Sequence, residues 1–319
     1  MLALLIALLT LVGPVPPAAP AVAWGDPQIA WVGGQGGIYR SQDSGRTWSL
    51  QTRRAALQLS AVDASHAWAI SDQGLTLRTT DGEHWHRVDV QKLLRIDFVD
   101  DTHGFAVSST PELLATSDGG ETWSPTPRPL FGLQSMCFVD PRNGWAARGG
   151  TVFTTHDAGA TWRARTLLRT RQGLPVPELS CKSRDAWVVL HGGAAAGSEG
   201  YAVYRSRDAG ATWRAVYGQF LVRGLPRIDA YAGPVAALGG GDAVLEGSCG
   251  ACGARGRVSF RRDGHLARLP GWLPGPLAFA DRRLGVAVLS RPGTAEGFVL
   301  RTADGGRTWS RVLASTRLR

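Results

Sequence analysis

From Val22 to the end of the chain, short apolar runs alternate with clusters of Gly, Asp, Pro and Asn. This is the punctuation of strand, turn and strand. No stretch sustains the period of an amphipathic helix. One representative unit predicts strands at roughly 57–62, 67–71, 75–79 and 85–89.

Two phrases mark the units. The first is a Ser or Thr, an Asp, one or two Gly, then Thr-Trp. It occurs at Ser41–Trp48, Thr116–Trp123, Thr155–Trp162, Ser206–Trp213 and Thr302–Trp309, in a shorter form at Thr80–Trp85, and as a trace at Arg262-Asp263-Gly264. The aspartates fall at 43, 81, 118, 157, 208, 263 and 304, so successive gaps are 38, 37, 39, 51, 55 and 41. The second phrase lies upstream: an apolar pair and Asp, a turn, then Gly or Ala, an aromatic and Ala, as in Phe138-Val139-Asp140…Gly144-Trp145-Ala146. A period near 40 residues marks a propeller or solenoid. The expectation is an all-β fold: a seven-bladed β-propeller over 22–319, with four-stranded antiparallel blades and Asp-box turns. Ring closure removes most open sheet edges. Little chain follows the last strand, near Ser310–Leu313, so the first blade is expected to take its inner strand from its own start near Val22.

Each box residue has a structural task in the turn between third and fourth strands. A short carboxylate accepts bonds from nearby backbone N–H groups. Glycine permits the positive φ of a tight reversal. The Trp opens the last strand as a packing wedge. Asp43, Trp48, Asp81, Trp85, Asp118, Trp123, Asp157, Trp162, Asp208, Trp213, Asp304 and Trp309 are therefore read as structural. Trp48, Trp123, Trp162, Trp213 and Trp309 are expected at equivalent buried positions.

Together the phrases resemble the BNR/Asp-box repeat proteins, and within them the photosystem II stability/assembly factor family and its relatives in non-photosynthetic bacteria. The shared pattern, apolar-x-Asp…Gly-Trp-Ala…Arg-Thr-x-Asp-Gly-Gly-x-Thr-Trp, is clearest at 98–123 and 279–309. The resemblance implies a propeller outside the cytoplasm, without catalysis, that helps to assemble or stabilise a membrane complex by protein contact. It also implies an arginine-rich patch on one face. Blade six departs from the pattern, because its box lacks Thr-Trp and its hairpin with Cys249 and Cys252 is long.

Charge and cysteine refine this picture. The formal net charge is +9, carried almost wholly by Arg; Lys92 and Lys182 are the only lysines. Base composition of the genome accounts for such a bias as readily as a basic face for an acidic partner does. No basic helix or zinc-finger spacing points to nucleic acid. Residues 1–21 read as a signal peptide or N-terminal anchor, with Ala19-Pro20-Ala21 as a cleavage site, although no Lys or Arg opens them. An exported protein, periplasmic or extracellular, is the expectation. There Cys249 and Cys252 would form a local disulfide. Cys137 and Cys181 fall in equivalent strands of adjacent repeats and are left open between a bond and free thiols.

A sialidase-like glycoside hydrolase is the alternative reading, since such enzymes also carry Asp boxes. Glu178, Glu199, Glu246 and Glu296 are its candidate acids, but no pair can be placed across one bond. No catalytic residue, cofactor or metal ligand is assigned. In a four-stranded blade the second hairpin and the loop to the next blade leave by the end opposite the boxes. Basic residues recur there: Arg53, Arg54, Arg95, Arg128, Arg169, Arg171, Arg223 and Arg227 are the candidate partner-binding set. The long hairpins 191–201, 239–257 and 290–298 are expected at the same end. The expected partner is an acidic segment of a membrane or envelope protein, with an anionic membrane surface as second option. The protein itself is expected to be a monomer.

Overall fold

The computed structural model describes residues 21–315, apart from 89, 110, 111, 129, 171–173, 250–256, 263, 271–273 and 291–296. Seven four-stranded antiparallel sheets, each sequential in strand order, span 21–52, 58–88, 93–125, 135–166, 176–219, 231–270 and 277–315. First strands of successive blades contact one another around the whole ring, including blade one (Ala21–Trp24) with blade seven (Leu277–Phe279). The all-β seven-bladed propeller is thus as the repeats predict. In blade two the strands are Gln58–Ala61, Ala67–Ile70, Thr76–Thr79 and His86–Val88, within two residues of expectation. Blade one does take its inner strand from its own start, with Val22 opposite Val32. Ala21, the last residue of the expected leader, is already in that strand. Among the described residues no helix is long and apolar enough to cross a membrane.

Burial follows radius. Second strands lie between neighbouring blades on both faces, so they read as continuous apolar runs: Ala67–Ile70 and Gly104–Ser108 are buried throughout. Outer strands meet solvent where blades diverge, and Arg163–Thr166 is exposed throughout. The box tryptophans open these outer strands and are only half-buried. This corrects the expectation that they are buried. Among the described residues the fully buried indoles are Trp31, Trp68 and Trp145, on second strands. They belong to the second phrase, one layer further in. Trp68 stacks on Phe98 of the next blade, with ring centroids 3.6 Å apart.

Small polar side chains fasten the inner ring. The Phe98 N–H donates to Ser60 Oγ at 2.8 Å, Phe138 N–H to Asp97 at 2.7 Å, Leu179 N–H to Ser135 Oγ at 2.9 Å and Ala237 N–H to Ser180 Oγ at 3.0 Å. Each bond runs from one blade to the next. Closure uses Trp24 Nε1 to the Ala278 carbonyl at 3.2 Å and Arg301 Nε to the Ser44 carbonyl at 2.6 Å. Val32 packs with Val286, Val288 and Val299 across the same seam.

Blade six lacks a full box and closes differently. Arg262 pairs with His265. Its guanidinium meets the buried Asp242 carboxylate at 2.7 Å and the Arg282 and Gly305 carbonyls at 2.6 and 3.2 Å. The hairpin expected over 239–257 divides: 239–242 turns from first to second strand at the box end, and Asp242–Ser248 is the buried second strand.

Candidate binding face

The two ends of the ring differ in chemistry. At the box end, each carboxylate is consumed by its own turn. Asp157 accepts from the Thr161 hydroxyl at 2.6 Å, the Thr161 N–H at 2.8 Å and the Thr155 hydroxyl at 2.8 Å. Asp43, Asp118, Asp208 and Asp304 repeat the pattern. In the shorter box the His84 ring replaces the Thr hydroxyl and meets Asp81 at 2.7 Å. The Thr122 hydroxyl and N–H hold Asp118 down at about 2, and the Thr161 and Thr212 groups do the same for Asp157 and Asp208. The second phrase supplies a matching turn between first and second strands. There Asp140 accepts from the Arg142 and Asn143 N–H groups, both at 2.8 Å.

The arginine before several of the boxes is a strap between strands and blades. Arg40, Arg78 and Arg205 sit over Trp31, Trp68 and Trp187 of their own blades, 5.3–5.8 Å from the ring centroids. Arg40 reaches the Ala64 carbonyl of the next blade at 2.8 Å, and Arg205 the Gly241 carbonyl at 2.9 Å. Its signal in the sequence is Arg immediately before the box Ser or Thr. Part of the arginine excess is therefore structural.

The opposite end carries the inter-blade loops. Arg53, Arg54, Arg169, Arg223 and Arg227 are exposed there. Arg227 Nη1 donates to Gln219 Oε1 at 3.3 Å. Arg171 lies outside the described residues. Two candidates sit elsewhere. Arg95 lies on the inner strand Leu93–Phe98, not in a loop, and is exposed. Desolvation pulls its guanidinium down from its ordinary value, and the Glu178 carboxylate partly restores it. Arg128 turns away to the neighbouring box: its N–H donates to the Gly159 carbonyl at 3.3 Å and its carbonyl accepts from Trp162 Nε1 at 3.1 Å.

The candidate acids are brought partly together. His191 contacts Glu199 at 3.0 Å and Glu178 at 3.6 Å, so a cation separates the two carboxylates. Burial alone would lower the His191 ring, but these two acids raise it to about 9. Glu246 is fully buried, and its carboxyl oxygens lack a well-formed hydrogen bond, although the Gly275 N–H faces them. Burial first, and the Glu178 charge second, push it well above the usual carboxylate range. Glu296 lies outside the described residues. Among the described residues no group of three or more His, Cys, Asp or Glu is placed to hold a metal.

The cysteine left open is resolved. Cys137 and Cys181 form a disulfide between the inner strands of blades four and five, with Cα atoms 5.9 Å apart. Cys249 is also disulfide-bonded; its expected partner Cys252 lies outside the described residues.

A family model described as photosynthesis system II assembly factor YCF48 matches residues 79–221. A comparison with curated proteins returned no match. Among solved structures, "YCF48 bound to D1 peptide" aligns at a TM-score of 0.61 and 14% identity, covering 90% of this chain and 94% of that one. A GH74 xyloglucanase from Xanthomonas campestris aligns at 0.61 and 14% identity over 91% of this chain, which spans only 52% of the enzyme. U3-55K aligns at 0.53 and 14% identity, over 85% of this chain and 88% of that one. At such identities the structural likenesses speak for the fold, while the match over 79–221 also rests on sequence. Residues 79–221 thus resemble the photosystem II assembly factor YCF48 family, within a chain whose fold throughout is an Asp-box repeat propeller.

Proposed function

We propose that this protein is a non-catalytic, exported binding propeller that engages an acidic segment of a membrane or envelope protein through its inter-blade face. The observation that carries this reading is the contrast between the two ends. Box carboxylates are used up by their own turns, whereas Arg53, Arg54, Arg169, Arg223 and Arg227 lie exposed at the opposite end. Arg engages carboxylates through a planar, bidentate fork. The homologous family is one of assembly factors, and one solved member is described as bound to a peptide. The Cys137–Cys181 disulfide supports an oxidising compartment. The ring closes with its own strands, which suits a monomer.

Affinity capture from envelope membranes tests the reading, with wild-type protein against Arg223→Glu/Arg227→Glu. The double variant loses the captured protein, and salt weakens wild-type capture, because exposed charges are screened beyond about 8–10 Å. The box-end reversal Arg46→Glu/Arg307→Glu retains capture. Equal losses from the two double variants, or capture indifferent to salt, would falsify the basic-face reading.

A further inference from the structure

The β-hairpin of blade five forms one wall of a groove of about 750 Å³ at the inter-blade end. The strands Asp185–Ala195 and Ser198–Ser206 shift register between His191 and Ala194, which sets Gly192 and Gly193 opposite Gly200. This is a β-bulge made wholly of glycine. Glycine within a strand marks close approach of another backbone. A Cβ on Gly193 would meet nothing within 4 Å, and that backbone is not in the left-handed region. The groove floor there is bare main chain with space above it.

Phe220 forms the facing rim. It is 73% exposed and holds φ at +62°, a conformation that a bulky side chain rarely adopts. The strain is maintained by its surroundings: Gln219 Nε2 donates to the Glu199 and Ala230 carbonyls at 2.9 and 3.0 Å, and Phe220 bridges to Tyr201. Strained conformations of this kind cluster at ligand clamps. Leu174, 80% exposed, closes the groove on the blade-four side. Phe131, 55% exposed, lies beyond it. Leu174 lies against Gly149, and the neighbouring Arg148 donates to the Phe131 carbonyl at 2.6 Å. Among the described residues no acidic side chain lines the groove, and the exposed Arg169 and Arg223 belong to the loops that border it.

We propose that this groove binds an extended polypeptide segment that carries apolar side chains beside acidic ones. Its apolar side chains would lie on Phe220 and Leu174, its backbone over Gly192 and Gly193, and its carboxylates toward the bordering arginines. The proposal builds on the basic-face reading, from which it takes the acidic character of the partner. An anionic bilayer is the competing occupant, and the test separates the two.

The test pans the full protein against a phage-displayed library of short random peptides, and measures Kd for selected peptides by fluorescence anisotropy. The selected peptides combine apolar residues at alternate positions with Asp or Glu. Gly193→Leu fills the groove and weakens them by about thirtyfold or more, the loss typical of an interface hot spot. Phe220→Gly weakens them similarly while leaving the thermal midpoint unchanged or raised, since glycine accepts the left-handed backbone. A purely structural Phe220 would instead lower the midpoint. Peptides that bind both variants as tightly as wild type, or a library that yields no binder, overturn the groove. So does sedimentation with phosphatidylglycerol vesicles that these variants abolish while no peptide is selected. If Arg223→Glu/Arg227→Glu abolishes peptide binding and Gly193→Leu does not, the basic face stands and the groove falls. The reverse outcome keeps the groove and removes the basic face.

Discussion

A single carboxylate organises each box, and its effect is local. Asp304 gathers the Thr308 hydroxyl and N–H and the Thr302 hydroxyl within four residues of itself. Such carboxylates resist protonation: Asp118, Asp157 and Asp208 sit at about 2 against an ordinary 3.8, chiefly through the Thr bonds. For Asp43 and Asp304 burial works the other way, and the same Thr bonds outweigh it to reach about 2. A depressed folded value contributes stability that is complete above about 3.8 and lost as pH falls through about 2. The thermal midpoint, followed by Trp fluorescence, is therefore expected to fall between pH 4 and pH 2. Asp208→Asn shallows that fall and lowers the midpoint at neutral pH. An Asn variant whose pH profile parallels wild type would contradict this account.

At the scale of strands, the ring sorts one residue type into two roles. Trp145 on the second strand of blade four is 1% exposed, whereas Trp162 on the fourth is half-buried. The second strand has a neighbouring blade on each face; the fourth stands where blades splay apart. Trp145→Ala is expected to cost about 3–5 kcal/mol, as fully buried aromatics do. Trp162→Ala should cost clearly less, since water already covers part of that ring. Urea unfolding of both variants decides it, and equal losses would mean that radius does not govern burial here. The straps act at the same scale. Arg205 lies over Trp187 and reaches the next blade, so one side chain joins packing within a blade to contact between blades.

For the molecule as a whole, stability rests on holding seven sheets in one closed ring. Inter-blade bonds along the channel, such as Ser60 to Phe98 and Ser135 to Leu179, are individually modest. The Cys137–Cys181 bond adds a covalent link between blades four and five and closes a loop with a sequence separation of 44. A disulfide over such a loop typically contributes about 2–4 kcal/mol, mainly by restricting the unfolded chain. Cys137→Ser/Cys181→Ser should therefore fold to the same ring with a lower thermal midpoint. Reductant should move the wild-type midpoint toward that of the variant. A midpoint that neither change shifts would show the link to be energetically idle.

Sequence alone determined what is encoded over a few residues and repeated. The box hydrogen bonds run from i to i+4, so Asp43 and Asp157 announce their turns without reference to distant chain. Their period then sets the number of blades. Tertiary structure decided whatever depends on radius or on which blade lies alongside. The Trp of the second phrase is the buried one because only inner layers are covered on both faces. Arg95 reads as one more loop arginine, yet it lies on the inner strand of its blade; Arg128 reads alike and folds back onto a box. Cys137 and Cys181 look equivalent in two repeats, but only the ring makes adjacent repeats adjacent inner strands and so makes a bond of them. Phe220 carried no signal, since a lone aromatic beyond an outer strand resembles core. Its exposure and its left-handed backbone arise from the loop that Gln219 fastens between Glu199 and Ala230, which are distant in sequence and joined only by the fold.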